Sequence, residues 1–194
     1  MQLVQFAVMT IVAYLIGSFP TGYLAARFLK GVDPRQHGSG RTGGTNILRT
    51  AGKGAALTTV IGDLLKGLLA VLLARFWIGT QAAEVVAGLA AVLGHNRSIF
   101  LGFRGGAGSM TNVGALLAMA PYVVPFAAAA AFVSGKLSRT ASLVSIAAAA
   151  TSIVVLAVGY LLSFTPVAYL IYGVLAGLLI LFELRPNLRR LSNG

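Results

Sequence analysis

Apolar residues in this chain fall into long runs, roughly 3–26, 54–78, 82–96, 109–135, 140–163 and 165–184, and the polar residues crowd into the short stretches between them. In lipid a backbone must close its own hydrogen bonds, so each run is expected to be a helix. A full crossing takes about 20 residues at roughly 1.5 Å rise each. The 82–96 run is shorter than that and is expected to extend slightly or to tilt.

Composition agrees with the pattern. Hydrophobic residues make up 57% of the 194 positions and charged residues only 10%, with a mean hydropathy of +0.87. A soluble domain carries about a quarter charged residues, and a chain this short cannot hide such an apolar surplus in a core. The surplus therefore faces lipid. The first run lacks a basic leader and a small-residue cleavage pattern, so it reads as a retained span. With no cysteine, disulfide and thiolate chemistry are excluded.

Charge then sets the topology. Fifteen basic residues stand against four acids (Asp33, Asp63, Glu84 and Glu183), giving a net charge of +11. The bases gather at 27–53, 97–108, 136–139 and 185–190, whereas 79–83 has none. By the positive-inside rule the basic loops and the C-terminus are cytoplasmic and the N-terminus is outside. The spans exclude a nucleic-acid partner and leave the cytoplasmic bilayer surface or small anions.

Both flanks of 109–135 are basic, which a single crossing cannot satisfy. Pro121 and Pro125 interrupt the run, each lacking a backbone donor. Two short helices forming a re-entrant hairpin restore parity, and one kinked span is the alternative. The expected fold is an all-α integral membrane protein of about seven helices, five full spans plus a short-helix hairpin. It forms one domain over 1–194 and lies in the inner (cytoplasmic) membrane as a multi-pass protein. Abundant Gly and Ala in the spans signal close helix packing, and no inverted repeat of a transporter is visible.

Two polar stretches carry candidate chemistry. HGSGRTGGTNILR (37–49) is too polar to be a span, and it leads to a helix expected near 53. Its glycines allow successive N–H groups to turn toward one anion. Ser39, Thr42 and Thr45 add hydroxyls, Asn46 an amide, and Arg49 a planar fork for phosphate oxygens. GFRGGAGSMTN (102–112) repeats the logic: Gly105, Gly106 and Gly108 precede a helix start near 109, with Arg104 beside them. The bland reading of both is flexible cytoplasmic loop and ordinary helix cap. The GxxxxGK[ST] nucleotide loop is absent.

Asp63 and Lys66, three residues apart in an apolar run, are expected to form a structural ion pair bordering the site. His95 is open to three roles: base, hydrogen-bond orienter or interfacial residue. His37 looks peripheral. No dense metal cluster, GxSxG elbow or HxxxxD pair occurs. Asn187 and Arg190 in the tail suit either a polar rim or topology-fixing charge.

In these stretches the chain resembles the bacterial membrane family of acyl-phosphate:glycerol-3-phosphate acyltransferases. SFPTGYLAAR (18–27), GSGRTGGTNILRTAGKGAA (38–56), GDLLKG (62–67), GHNRSIFLGFRGGAG (94–108), LSRTASL (137–143) and RPNLRRL (185–191) follow the family's order across nearly the whole chain. The resemblance implies seven helices with a site open to the cytoplasm. It implies transfer of a fatty acyl group from acyl phosphate to the 1-hydroxyl of glycerol 3-phosphate, with no cofactor and no covalent acyl-enzyme. Ser39, Gly40, Gly43, Thr45, Asn46 and Arg49 would surround the donor phosphate, and Asn187 would lie near glycerol 3-phosphate. His95 and Gly105, Gly106 and Gly108 would shape the same pocket.

The departures are Arg41 and Gly44 in the first loop, Ser98 for a proline, Ala107 for the lysine of GGKG, and Leu184 for a histidine. Arg41 or Arg104 would have to supply the missing charge. No side chain is an expected base, so binding and alignment carry the reaction. Expected partners are the two substrates and membrane lipids, with the protein a monomer. A transporter or channel for phosphorylated metabolites and an inactive paralogue are the other readings of the same residues.

Overall fold

The computed structural model of the chain describes residues 1–138 and 140–192, the last three as backbone only. Among the described residues it is all-helical: α1 (Gln2–Ser18), α2 (Thr21–Lys30), α3 (Gly44–Trp77), α4 (Gln81–Asn96), α5 (Ser109–Met119), α6 (Val123–Ser138), α7 (Ala141–Leu161) and α8 (Val167–Ser192). Counting α1 and α2 as one span broken at Phe19–Pro20 gives the seven helices that the apolar pattern predicts. Among the described residues four segments are long and apolar enough to cross a membrane: Gln2–Lys30, Gly44–Trp77, Ala141–Leu161 and Val167–Arg189. The fifth expected span, α4, keeps to 16 residues and does not extend. Thr80 fixes its start by accepting from the Ala83 N–H, and its length is about 24 Å.

The run at 109–135 is two helices, separated by Ala120–Tyr122. Pro121 lies in the break, and Pro125 lies in the first turn of α6, where its missing N–H costs no helical bond. At about 16 Å, α5 is half a bilayer thick.

The chain divides into two compact units, 1–115 and 116–194. In the first, α3 shows how a membrane helix sorts its faces. Leu57, Ile61, Leu65, Leu69, Leu73 and Phe76 are exposed along one ridge, and Ala55, Thr59, Asp63, Lys66, Ala70 and Ala74 are buried along the other. Large apolar groups face lipid, while small and polar ones face protein, the reverse of a soluble helix. Small residues then let backbones touch: Gly17 lies on Ala91, Gly94 on the Tyr14 carbonyl, Gly67 on the Thr111 carbonyl and Gly114 on the Leu64 carbonyl. An alanine-rich cluster (Ala13, Ala70, Ala74, Ala87, Ala91) joins α1, α3 and α4.

α3 is two helices, a short one from Gly44 and the long one expected near 53. Gly52 separates them with φ 84° and ψ −177°, backbone that an L side chain rarely adopts. The segment 44–51 is thus a short separate helix, packed on α2 through Ile47 and Ala51 against Ala25 and Ala26. At the end away from the glycine loops, Arg75 and the buried Glu84 pair through two bonds of 3.0 and 2.7 Å. That pairing explains why one base can sit beside an otherwise uncharged turn.

In the second unit α7 packs against both α6 and α8. Gly173 and Gly177 admit Leu156 and Ile153, and Tyr122 stacks edge-on against Phe164 with ring centres 5.3 Å apart.

Candidate active site

The first glycine stretch is a loop tied around one side chain. Asn46, 4% exposed, accepts from the Ser39 N–H at 3.0 Å and donates its amide to the carbonyls of Pro34 (3.0 Å), His37 (3.1 Å) and Arg41 (2.8 Å). Its polar capacity is thereby spent on loop backbone. At the loop's start Asp33 grips Arg35 at 2.7 Å, and Arg35 lies 4.8 Å over the Tyr23 ring. The hydrogen bonds from Arg35 hold the Asp33 carboxyl down at about 2, below its ordinary 3.8. Outside this frame Ser39 is exposed, Gly43 caps the helix, and Thr45 and Arg49 are exposed four residues apart on one helical face. Gly40 closes a turn onto the His37 carbonyl at 3.1 Å.

The second stretch is folded over the end of α4. Side chains at Gly105, Gly106 and Gly108 would collide with the His95 carbonyl, the His95 ring and the Asn96 carboxamide respectively. The Gly106 N–H donates to the His95 carbonyl at 3.2 Å, and Gly108 (φ 83°) accepts from the Asn112 N–H at 2.8 Å as α5 begins. The two stretches meet where the Thr42 N–H donates to the Gly105 carbonyl at 3.4 Å. Close approach of Gly22 to the Thr42 carbonyl backs that junction.

Below them lies a buried ionic cluster. Asp63 contacts Lys66 at 2.8 Å and His95 Nδ1 at 3.4 Å, accepts from the Thr21 hydroxyl at 2.5 Å, and Lys66 also donates to the Phe19 carbonyl at 3.2 Å. The sequence-derived ion pair is therefore present, and it is a node joining the α1–α2 break, α3 and α4. His95 is 6% exposed, and its ring lies beneath Gly106. Arg104 is exposed, and Arg41 is half-buried with Nη1 fully shielded.

Ser39, Gly40, Arg41, Gly43, Thr45, Asn46, Arg49, His95, Arg104, Gly105, Gly106 and Gly108 all belong to the first unit and its two joined loops. Asn187 belongs to the second unit, where its amide donates to Ser142 Oγ at 3.2 Å. The side chain of Arg190 lies outside the described residues. Sequence reasoning gave no role to Thr21 or Asn96; the Asn96 carboxamide, like the Thr111 hydroxyl at the expected start of α5, is buried without a protein hydrogen-bond partner. The available signal was positional: Asn96 is polar, ends an apolar helix and adjoins His95.

Two glycine loops joined by a backbone bond and rimmed by guanidinium groups, on an all-helical membrane scaffold, find close counterparts among known proteins. The family described as Glycerol-3-phosphate acyltransferase matches residues 7–194. The chain belongs to this family. A glycerol-3-phosphate acyltransferase of Crocosphaera subtropica is 41% identical over 97% of this chain and 91% of its own. One from Synechococcus elongatus is 42% identical over 100% and 94%. The crystal structure of PlsY (YgiH), an integral membrane glycerol 3-phosphate acyltransferase, in its glycerol 3-phosphate form matches with TM-score 0.88 and 34% identity, covering 98% of this chain and 93% of that one. Its lysophosphatidic acid form matches with TM-score 0.86. The integral membrane fold and the acyltransferase family assignment thus agree with the apolar pattern and the quoted motifs.

Proposed function

We propose that this protein transfers a fatty acyl group from acyl phosphate to the 1-hydroxyl of glycerol 3-phosphate, releasing phosphate and leaving lysophosphatidic acid. The observation that supports the proposal is the junction of the two glycine loops, where the Thr42 N–H donates to the Gly105 carbonyl, with Ser39, Thr45, Arg49 and Arg104 exposed on or beside those loops. The family and the glycerol 3-phosphate form of PlsY support the acceptor. The donor rests on the motif resemblance.

Acyl phosphate is a mixed anhydride and needs no covalent enzyme intermediate. The acceptor oxygen attacks the acyl carbonyl, the bond from that carbon to the phosphate oxygen breaks, and the hydroxyl proton passes to the departing phosphate. The protein's task is to hold two anions against their repulsion and to align the hydroxyl, work that positioning and charge stabilisation perform. Ser39, Gly40, Gly43, Thr45 and Arg49 take the donor phosphate. Arg41 or Arg104 helps to receive glycerol 3-phosphate. Asn46 and His95 hold the two loops in shape, and no side chain acts as catalytic base. The chain acts as one domain, with the family match running through both units. It sits in the cytoplasmic membrane with the loops and C-terminus inside and the N-terminus outside, supported by the placement of its bases.

The test is an assay of purified protein with acyl phosphate and radiolabelled glycerol 3-phosphate, beside an acyl-CoA control. Acyl transfer is expected from acyl phosphate alone. Arg49→Ala should lower it roughly ten- to hundredfold, the worth of one charge-assisted bond. Full activity in that variant would refute the assignment of the donor phosphate.

A further inference from the structure

The second loop contains no charge at its centre. From Gly105 to Gly108 it offers only backbone and the Ala107 methyl. What lies beneath it adds no unpaired cation: Gly105 and Gly106 rest on the His95 carbonyl and ring, Gly108 on the Asn96 carboxamide, and both Lys66 and His95 are turned to the Asp63 carboxylate deeper down. Oxygen atoms pressed against the underside of a loop oppose an anion above it. A phosphate on this loop therefore needs positive charge from the side.

Two guanidinium groups are in range by chain position. Arg104 precedes Gly105 directly but is exposed, so water and salt screen it. Arg41 approaches from the other loop. Its carbonyl is held by Asn46 at 2.8 Å, its neighbour Thr42 donates to Gly105, and Gly22 backs the Thr42 carbonyl. The Arg41 backbone is thus fastened within one residue of the second loop, and its Nη1 is fully shielded from solvent. A charge in that setting acts through a lower dielectric than one in water.

We propose that Arg41 neutralises the phosphate held on the second glycine loop, so that anion recognition crosses the junction between the loops. The inference rests on the acyl-transfer reading above. Its ligand chemistry is a phosphate dianion, carried either by glycerol 3-phosphate or by acyl phosphate.

The experiment measures KM for each substrate separately in the wild type, Arg41→Gln, Ala107→Lys and the double variant. Arg41→Gln is expected to raise KM for one substrate roughly ten- to hundredfold, and the substrate affected identifies which phosphate sits there. Ala107→Lys, which places a cation inside the loop, should restore most of that loss in the double variant. A merely structural role for Arg41 would not be relieved from the other loop. Both KM values unchanged in Arg41→Gln overturn the inference, as does a loss that Ala107→Lys leaves untouched. Should Arg41→Gln fail to accumulate, Arg41→Lys keeps the charge but loses the fork; a smaller KM rise for the same single substrate supports the inference, and wild-type values overturn it. A wild-type protein that moves no acyl group from acyl phosphate refutes the underlying reading instead.

Discussion

The two glycine loops look alike in sequence and are built in different ways. In the first, a buried amide does the folding: Asn46 collects four segments of loop backbone, and the exposed positions Ser39, Thr45 and Arg49 are left to face outward. In the second, the glycines themselves are the fit, since Gly105, Gly106 and Gly108 each occupy space against His95 or Asn96 that a Cβ would fill. The first is a frame that presents donors. The second is a thin cover over a buried ionic cluster, with its charge supplied from elsewhere. Glycine richness before a helix thus has two physical causes, freedom to shape a loop around a buried amide and close packing on a neighbouring helix end.

If that difference is real, removing the two supports should have unequal costs. Asp63→Ala leaves Lys66 buried without its carboxylate, at a cost of about 3–5 kcal/mol. Asn46→Ala leaves uncharged loop groups unsatisfied, a loss of about 2–3 kcal/mol. Thermal unfolding in detergent should place the Asp63 variant below the Asn46 variant, and the reverse order would break the comparison.

Glycine replacements sharpen it further. A Cβ at Gly105 meets the His95 carbonyl, which cannot move without the helix. Displacing the loop by an ångström is expected to lower kcat/KM about a hundredfold. Gly43 meets nothing within 4 Å, and its φ of −78° and ψ of 158° suit alanine. Gly43→Ala keeps the N–H and should cost about tenfold at most. Equal losses at Gly105 and Gly43 would mean that both loops are packed alike.

Much of this was legible in the chain. Span positions followed from apolar runs because lipid demands internal hydrogen bonding, and the break at 120–122 followed from Pro121. The Asp63–Lys66 pair followed from spacing and the cost of lone buried charge. Other features were out of reach. The long helix starts near 53 as expected, but the short helix over 44–51 ahead of it was hidden because a glycine pair and two threonines give weak helical propensity, overridden here by packing of Ile47 and Ala51 on α2. Asn46 read as a ligand because its residue type suits an anion, while its actual partners lie up to 12 positions away in the loop. The role of His95 depended on which backbone would fold over it, a non-local fact that no spacing encodes.

The smallest expected effect concerns the brace at the start of the first loop, which has no counterpart in the second. Asp33 grips Arg35, and its carboxyl is held at about 2 against an ordinary 3.8. A folded state that binds the proton more weakly gains stability from this group above the ordinary value, and that gain disappears as pH falls through about 2. The difference in unfolding midpoint between wild type and Asp33→Asn should therefore be full near neutral pH, begin to shrink below about pH 4, and be lost as pH falls through about 2. Because the pair is near the surface, the difference should also diminish in high salt. A gap between the two proteins that stayed constant from neutral pH down to 2 would show that Asp33 acts through its backbone and shape, and that the first loop, like the second, is held without charge at its edge.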